Sequence, residues 1–505
     1  MFNTIYGDVI DRQRYAVSYA VKSKGMTELQ FFEKEIARFK KSQTRKDMIT
    51  GELYYSGEQD ILKRKIMSIG PTGVMQEVSN VINNKLIDNQ YASAVDKKVN
   101  YLVARPITIN TDDDVYQDAL AEILNDNFHL TLKNLTTDCL NHGISYIHVY
   151  YDTEGRLGFK RIPAYEIIPF WVDSEHTVLD KAVRVYRISG YEGTNPVVYE
   201  KVEIYSDKGV EFYELNNGNL VPDVSKDKAS YIIMENEHGD HEEYNWGKIP
   251  LIAFKYNNIE QPLISKVKTL QDALNKVISD FQNNMEESPR NTILILKNYG
   301  GTNLAEFRQN LNSYGAVKIT TVDGVVGGVD TLRIEVNSEN YKVIINELKK
   351  AVIENARSYD SKDDKLSSNP NQLNILSMYS DMDLDASGME SEFQAGLKHL
   401  LYFINIHLLE SGTGDFKDTK VTFVFNKNTM VNNSEIIENC VKSSGMISHE
   451  TILSHHPWVK DVLKEMAQLK KEEDTYSGVF ENDLLAKKSE GSRRNSEQES
   501  DKSSL

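Results

Sequence analysis

Apolar residues at helical spacing predict the first long element of the chain. Leu29, Phe32, Ile36 and Phe39 recur every three or four positions, so residues 27–48 are expected to form an amphipathic helix. The sequence that follows, from 51 to 62, begins with glycine and contains a second glycine. It predicts a connector bounded by turns rather than more helix.

The start of this helix carries its own signal. Thr27 and Gln30 have the spacing of a capping box, in which a hydroxyl and an amide side chain each accept a backbone N–H that the helix leaves unpaired. The sequence therefore places the helix N-terminus at residue 27.

Helical and strand patterns are mixed between residues 91 and 258. Helices are predicted over 91–103 and 115–142, and Arg105-Pro106 ends the first of them because proline disfavours the α conformation in the residue before it. Runs of β-branched and aromatic residues predict strands. These strands are 107–109, 145–152, 183–188, 197–205, 210–215, 231–234 and 251–256. The pattern indicates an α+β region.

Beyond residue 258, two helices with heptad-like apolar stripes are predicted. The first ends near Pro289 and the second spans about 338–358. The stripe residues are Leu263, Val267, Leu270, Leu274, Val277 and Phe281, then Tyr341, Ile345, Leu348 and Val352. Residues 292–336 between them alternate strand, helix and strand patterns. A small domain is thus inserted between two long helices.

The C-terminal part is dominated by one long helix. A polar loop over 359–369 precedes a helical pattern over 370–411, which would span roughly 60 Å at 1.5 Å per residue. Gly388 and Gly396 are expected to kink or weaken it. The remaining predicted elements are a strand at 421–426, helices at 434–444 and 448–473, and a disordered tail at 488–505.

The composition of the chain limits the classes of function that it could have. The formal net charge is −17, which argues against a sequence-specific DNA-binding protein with a basic patch, but is compatible with a wall that DNA passes without adhering. Neither a signal peptide nor a transmembrane run is expected. The two cysteines, Cys139 and Cys440, are interpreted as buried thiols of a protein made in a reducing cytoplasm.

Familiar catalytic motifs are missing from the sequence. There is no phosphate-binding Walker loop, nucleophile elbow, His-Glu-x-x-His or Cys-x-x-Cys, so no cofactor is expected. His238, His241 and Glu243 would suit a metal-dependent hydrolase if a further carboxylate joined them. A solvated turn is the favoured interpretation there, and a solvated surface is favoured for the acidic run Asp381-x-Asp383-x-Asp385.

Two charged segments leave alternatives open. Lys362 and Lys365 stand beside Asp363 and Asp364 in the loop 359–369. Repeated around a ring axis, such loops would form a mixed-charge constriction that touches phosphates without sequence selection. An ordinary surface loop explains them equally well. The same two interpretations hold for the basic residues of the inserted domain, which are Lys297, Arg308 and Lys318.

Taken in order over roughly residues 25–475, several motifs resemble the portal proteins of long-tailed bacteriophages of Gram-positive hosts. They are Tyr54-Tyr55-x-Gly57, Asn83-Asn84-Lys85-Leu86, Val95-Asp96-Lys97, Gly143-x-x-Tyr146, Ile162-Pro163-x-x-Glu166 and Ile447-Ser448-x-Glu450. Ala104, where many relatives have glycine, and Gln372-Leu373, where a Ser-Gly pair is expected, depart from the family pattern.

The resemblance implies a portal fold with a wing, a helical stem, a small α/β clip, a long spine helix and a helical crown. The implied boundaries are wing 1–258, first stem helix 259–287, clip 288–337, second stem helix 338–358, tunnel loop 359–369, spine helix and return strand of the wing 370–426, and crown 427–487.

The resemblance also implies a function and partners. Twelve copies would form a ring at one capsid vertex of the virion, through which double-stranded DNA is packaged and ejected. The implied partners are the terminase large subunit, head–tail connector proteins, scaffold and the major capsid protein. The stem stripes would then pack between neighbouring subunits. The alternatives are another virion structural protein, such as a minor head component, and the metal-dependent hydrolase described above.

Overall fold

The computed structural model divides the chain into two units. The larger comprises Met1–Asp360 and Ser380–Asn428, and the smaller comprises Ser361–Tyr379 and Thr429–Leu505. The structure describes residues 25–69, 73–78, 81–226, 228–235, 241–287, 292–297, 321–322, 325–326, 328–333, 338–360, 372–428, 433–459, 462 and 465–471.

Helices and strands are both abundant in the larger unit, which confirms the α+β class. Its helices are α1 (Glu28–Lys41), α2 (Gln43–Ser56), α3 (Gln90–Val103), α4 (Asp114–Ile123), α5 (Asp126–His142), α6 (Ile264–Glu287), α7 (Ser338–Asn355) and, from Ser380 onward, α8 (Gln372–Glu410).

The strands form several antiparallel sheets. They are β1 (Met67–Ile69), β2 (Met75–Glu77), β3 (Thr108–Thr111), β4 (Ile144–Tyr151), β5 (Leu157–Ile162), β6 (Ile167–Trp171), β7 (Leu179–Glu192), β8 (Asn195–Ser206), β9 (Gly209–Asn216), β10 (Asn219–Pro222), β11 (Ile232–Glu235), β12 (His241–Tyr244), β13 (Leu251–Lys255), β14 (Thr292–Lys297), β15 (Thr321–Val322), β16 (Val325–Val326), β17 (Gly328–Arg333) and β18 (Val421–Val424). The sheet orders are β10-β9-β8-β7-β6 and β13-β4-β5, with pairs β1-β2, β11-β12, β14-β17, β15-β16 and β18-β3.

Two buried clusters hold the sheets in place. Phe31, Phe32 and Ile36 of α1 pack against the five-stranded sheet through Phe170 and Val183. The second cluster joins the two larger sheets and α2, with members that include Met48, Ile144, Tyr146, Trp171 and Leu251. Fully burying one such side chain contributes roughly 1.5–3 kcal/mol.

The first predicted helix is two helices. The connector predicted over 51–62 is wrong as far as Ser56, where α2 ends, and Gly57 (φ 90°) then turns the chain. The capping box of Thr27 and Gln30 is present, but Ser42 ends α1 and caps α2, because its hydroxyl accepts the Arg45 N–H at 3.2 Å. α2 then continues through Gly51, whose added Cβ would lie 2.0 Å from the Asn141 carbonyl oxygen of α5. This glycine permits close packing of two helices and makes no turn.

The long helix was predicted closely, except for its expected kinks. α8 runs without a break through Gly388 and Gly396. Gly396 is needed for packing, since an added Cβ would lie 2.7 Å from the Phe254 ring of β13. Its own helix hydrogen bonds are kept, so the missing side chain does not weaken the backbone there.

Strands at the two ends of the inserted segment pair with each other. β14 and β17 are antiparallel, with Thr292 opposite Arg333 and Lys297 opposite Gly328. β14 has the predicted bounds, whereas β17 begins three residues earlier than the predicted strand at 331–336. The predicted helix at 304–311 lies outside the described residues, as does nearly all of the predicted strand at 316–321.

The smaller unit contains helices α9 (Asn433–Ser443) and α10 (His449–His455) among its described residues. The Cys440 thiol lies 3.9 Å from the Ile452 carbonyl oxygen, which joins the two helices. The Ser448 hydroxyl accepts the Thr451 N–H at 3.2 Å and starts α10. The helix predicted over 448–473 is interrupted, because α10 ends before Pro457, and residues 462 and 465–471 are helical again.

Candidate functional site

The predicted stem residues occupy two distinct environments. Val267 and Leu274 on α6, Leu263 directly before it and Val352 on α7 are fully buried inside a single chain. The other stripe positions are only half-buried, and these are Leu270, Val277, Phe281, Tyr341, Ile345 and Leu348. α6 and α7 meet through the rings of Phe281 and Tyr341, with centroids 5.0 Å apart.

A second stripe on α6 is buried and polar. Gln271, Asn275, Ser279 and Asn283 stand at every fourth position and are at most 8% exposed. This polar stripe is absent from the sequence-based predictions. The signal available in the sequence was a row of uncharged polar residues, distinct from the charged face of the same helix.

This polar stripe binds an extended segment, residues 84–88, here called the strap. The strap N–H groups of Asn84, Leu86 and Asp88 donate to Asn283 (2.8 Å), Ser279 (2.9 Å) and Asn275 (3.0 Å), respectively. Farther along the chain, the Tyr91 N–H donates to Gln271 (3.1 Å), whose side-chain amide donates to the Asp88 carbonyl (2.7 Å).

The match between strap and helix has a geometric cause. Four residues of an α-helix rise about 6.0 Å, and two residues of an extended strand rise about 6.6 Å. Acceptors at every fourth helical position therefore meet alternate strand amides. Each buried N–H left without an acceptor would cost about 1–3 kcal/mol, so this pairing fixes α6 against the strap.

Ion pairs connect the outer face of α6 to residues 54–64. Lys268 donates to Asp60 at 2.7 Å and to Asp272 at 2.8 Å, and the hydrogen bond from Lys268 lowers the pKa of Asp60 to about 2. Arg64 donates to Asp280. The helix α7 joins the same assembly, since its Lys349 pairs with Asp88 of the strap at 2.7 Å.

The C-terminal end of α7 is held by a buried ionic cluster. Lys98 of α3 donates to the Arg357 carbonyl at 3.1 Å and to Asp385 of α8 at 2.6 Å. Asp385 also accepts the Tyr256 hydroxyl at 2.7 Å, and the Arg357 guanidinium lies 3.5 Å from it. Arg357 itself has a left-handed backbone (φ 49°), which turns the chain away from the helix.

Electrostatics favour the charged form of Asp385, although burial lowers the pKa of its partner Lys98. Burial favours the neutral form of Asp385, but the Lys98 ammonium and its hydrogen bond outweigh burial and hold the pKa of Asp385 below its ordinary value. The carboxyl and ammonium groups are 10% and 5% exposed. The solvated surface predicted for the acidic run is therefore wrong at Asp385, while Asp381 is exposed and Asp383 pairs with Lys427 at 3.0 Å.

The predicted tunnel loop begins directly after this cluster. Lys97 donates to the Tyr359 carbonyl at 2.9 Å, and its ammonium lies 4.9 Å from the Tyr359 ring. Lys362, Asp363, Asp364 and Lys365 lie outside the described residues. So do Arg308 and Lys318 of the predicted clip, whereas Lys297 is the last residue of β14.

The residues of the hydrolase alternative are only partly described. His238 lies outside the described residues, and His241 belongs to the backbone of β12. Glu243 accepts the Ser230 hydroxyl at 2.8 Å. Within the described ranges, no group of His, Cys, Asp and Glu residues is arranged to hold a metal ion, and no helix is long and apolar enough to cross a membrane.

Comparison with known proteins decides the family. The model of the phage portal protein family, SPP1 Gp6-like, matches residues 38–478. The chain belongs to this family. It is 27% identical over 440 residues to a portal protein of Bacillus phage SPP1, covering 85% of this chain and 84% of that protein. It is 26% identical over 437 residues to a portal protein of Clostridium phage phiCD119, covering 83% and 90%.

Membership of the portal family establishes the broad role of the chain. Portal proteins are structural proteins at the portal vertex of the virion capsid, and packaging of the phage genome is their typical role. The predicted resemblance to portals of phages that infect Gram-positive hosts is confirmed. The match includes α6, the strap, α7 and α8, so the clusters described above belong to the portal part of the chain.

Proposed function

We propose that this chain is the repeating subunit of a twelve-membered ring that forms the DNA channel of a phage capsid. The family match over residues 38–478 carries this proposal, because it extends from α1 beyond α10. The ring would surround double-stranded DNA, without sequence selection, while the DNA passes through during packaging and ejection. A net charge of −17 supports such a wall, since it disfavours tight adhesion of phosphates.

The proposed layout assigns a role to each segment. Residues up to 258 form the wing, 259–287 and 338–358 the stem, 288–337 the clip, 359–369 the tunnel loop, 370–426 the spine helix and return strand, and 427–487 the crown. Pairing of β14 with β17 supports a clip whose first and last strands lie side by side between the two stem helices in the chain. Pairing of β18 with β3 supports a strand that returns to the wing.

The stem supplies the proposed contact between neighbouring subunits. Its half-buried stripe residues, together with Val343 (56% exposed) and Ile344 (48% exposed) of α7, leave apolar surface on the helix pair. A second copy that covers this surface would bury it from water. The fully buried stripe residues serve the fold of one chain instead.

The tunnel loop is proposed to meet DNA inside the ring. Lys362 and Lys365 would touch phosphates transiently, with Asp363 and Asp364 limiting adhesion. The ionic cluster of Lys98, Arg357 and Asp385 supports this assignment, since it anchors the residues that lead into the loop. Because its base is fixed, the tunnel loop would lie at the same position along the ring axis in every subunit.

The remaining partners follow from the same proposal. The clip, with Lys297, Arg308 and Lys318, would dock the terminase large subunit and later the head–tail connector proteins. The wing would contact scaffold and the major capsid protein. Hydrolysis of ATP would belong to the terminase, and this chain would carry no catalytic site and no cofactor.

Negative-stain imaging of the purified chain, combined with mass measurement, tests the proposal first. We expect rings with a central hole and a mass of twelve or thirteen chains of 57.6 kDa each. A monodisperse monomer or dimer at high concentration would contradict the ring. The variant Ile344→Asp should lower the fraction of rings, whereas Lys350→Asp, at an exposed position of the same helix, should leave it unchanged.

A further inference from the structure

The exposed side of α1 is basic, although the chain as a whole carries a formal net charge of −17. Its cations are Lys34, Arg38 and Lys41, here called the basic face, and all three are exposed on the side of the helix away from the buried Phe32. Arg38 pairs with Glu35 of the same helix at 3.5 Å. The two lysines form no ion pair with any residue in the described part of the chain.

A second helix presents the opposite charge. Asp114, Asp118 and Glu122, here called the acidic face, follow one another at every fourth position of α4, so their carboxylates line one side of the helix. All three are exposed, and none of them pairs with a cation among the residues that the structure describes. Like charges at this spacing repel one another and destabilise a helix. A cationic partner would remove that repulsion.

The two helices pack against different elements of the larger unit. α1 covers the five-stranded sheet through Phe170 and Val183. In α4, the Tyr116 hydroxyl donates to Asn405 of α8 at 2.6 Å, and its ring stacks on Phe416 with centroids 4.4 Å apart. Each charged face points away from these contacts, so both remain available to a partner outside the chain.

The basic and acidic faces also agree in length and shape. The basic face extends over seven residues, about 10.5 Å along α1, and the acidic face over eight residues, about 12 Å along α4. Each includes a smaller apolar residue among its charges, which is the exposed Ala37 on α1 and Val115 (59% exposed) on α4. Two such helices can therefore lie side by side with an apolar contact between their ion pairs.

A ring of identical subunits needs two different surfaces on each subunit, which meet across every contact. We propose that the basic face of α1 in one subunit docks on the acidic face of α4 in the neighbouring subunit. This inference rests on the proposed ring and adds a second contact to that of the stem. Complementary charge selects which surfaces meet and speeds their encounter, and salt screens it, so assembly slows as ionic strength rises.

Charge reversal of each face tests the docking contact. The basic-face variant is Lys34→Glu with Lys41→Glu, and the acidic-face variant is Asp114→Lys with Glu122→Lys. Reversal is required, because loss of a single exposed ion pair has little effect. Each variant alone should lower the fraction of chains in rings by roughly tenfold, since like charges then meet across every contact. Negative-stain imaging with mass measurement gives that fraction.

A mixture of the two variants provides the sharpest comparison. In a ring where they alternate, opposite charges meet again at every contact, so the mixture should form rings with equal numbers of the two chains. Recovery of rings would also show that both variants are folded. The control is Lys208→Glu with Lys398→Glu, which changes as much charge at exposed positions outside both faces and should form rings like the parent.

The possible outcomes separate this contact from the ring itself. Rings of parental abundance in both variants would overturn the docking contact and leave the proposed ring intact. A mixture that forms no rings would also overturn the docking contact. Absence of rings in the parent would overturn the proposed function, and this contact with it.

Thiol cross-linking identifies the two surfaces directly. Both native cysteines are buried, so Ala37→Cys and Val115→Cys supply the accessible thiols for a short bismaleimide. A mixture of the two single variants should give dimers that contain one chain of each, and neither variant alone should give any. Dimers within a single variant would show that like faces meet, which contradicts the proposal.

Discussion

At the scale of single residues, buried polar side chains define the position of α6. Its apolar residues Val267 and Leu274, with Leu263 directly before it, supply burial, which is not directional. Its polar stripe supplies directional acceptors, each meeting one named N–H of the strap or of Tyr91. Substitutions in that stripe should therefore have effects that helix propensity does not explain.

Asn275→Leu should destabilise the chain by about 2–3 kcal/mol. It leaves the half-buried Asp88 N–H and the buried Gln59 side chain without their partner. Urea unfolding of variant and parent measures the difference. Lys276→Leu, at the exposed neighbouring position, is the control and should change the free energy of unfolding by no more than about 0.5 kcal/mol. Equal losses in both variants would contradict a role for the polar stripe.

His148 should make the chain sensitive to mild acid. Burial lowers its pKa to about 4, against an ordinary value near 6.5. Between these values the unfolded chain takes up a proton that the folded chain does not, so stability falls as pH falls, by about 2 kcal/mol at pH 5. His148→Gln should therefore lose less thermal stability than the parent between pH 7 and pH 5. The exposed His449→Gln should behave like the parent, and an unchanged pH profile of His148→Gln would refute the assignment.

At the scale of elements, α3, α7 and α8 meet at the cluster of Lys98, Arg357 and Asp385. Three segments far apart in sequence share one carboxylate there, so the orientation of the helix ends depends on a single charge. The helix α8 also contains two glycines, Gly388 and Gly396, with different surroundings.

Asp385→Asn should destabilise the junction by roughly 3–5 kcal/mol, because it leaves the buried Lys98 ammonium without its counter-charge. Hydrogen exchange of residues 356–358 should rise together with the loss of stability. Asp381→Asn on the same helix is the matched control, since Asp381 is exposed, and should have little effect. An Asp385→Asn variant with parental exchange at residues 356–358 would sink the idea of an anchored loop base.

Gly388→Ala and Gly396→Ala should shift stability in opposite directions. Nothing lies within 4 Å of a Cβ added at Gly388, so alanine there should stabilise α8 by about 0.5–1 kcal/mol. At Gly396 the added Cβ meets the buried Phe254 ring at 2.7 Å, and overpacking should cost about 1–3 kcal/mol. Melting temperatures of the two variants provide the comparison, and shifts of the same sign would contradict it.

At the scale of the whole molecule, the charged loop is separable from the fold. The chain before it is already anchored through Lys97 and Lys98. Changes within residues 361–369 should therefore affect the proposed passage of DNA and leave assembly intact.

Lys362→Ala with Lys365→Ala should keep rings intact and lower DNA packaging several-fold, because the proposed channel loses its transient phosphate contacts. Imaging of the rings and a packaging assay with the cognate terminase measure the two properties separately. Lys417→Ala with Lys420→Ala removes the same charge from an exposed turn and should package normally. Loss of rings in the loop variant would argue against the tunnel-loop assignment.

Local patterns in the sequence were sufficient to predict those elements whose conformation depends only on residues nearby in the chain. The capping box at Thr27, the strands β4 and β14 and the length of α8 follow from spacing within one short segment. The ordered motifs likewise indicated the portal family, which the family match confirms.

Only the tertiary structure decided what each exceptional residue meets. Gly51 is helical because Asn141, ninety positions along the chain, leaves no room for a side chain. The polar stripe of α6 is buried because the strap, almost two hundred residues earlier, supplies its donors, and Asp385 is charged inside the protein because α3 brings Lys98 to it. Periodicity shows which face of an element is apolar, but long-range packing determines the partner of a polar group or a glycine.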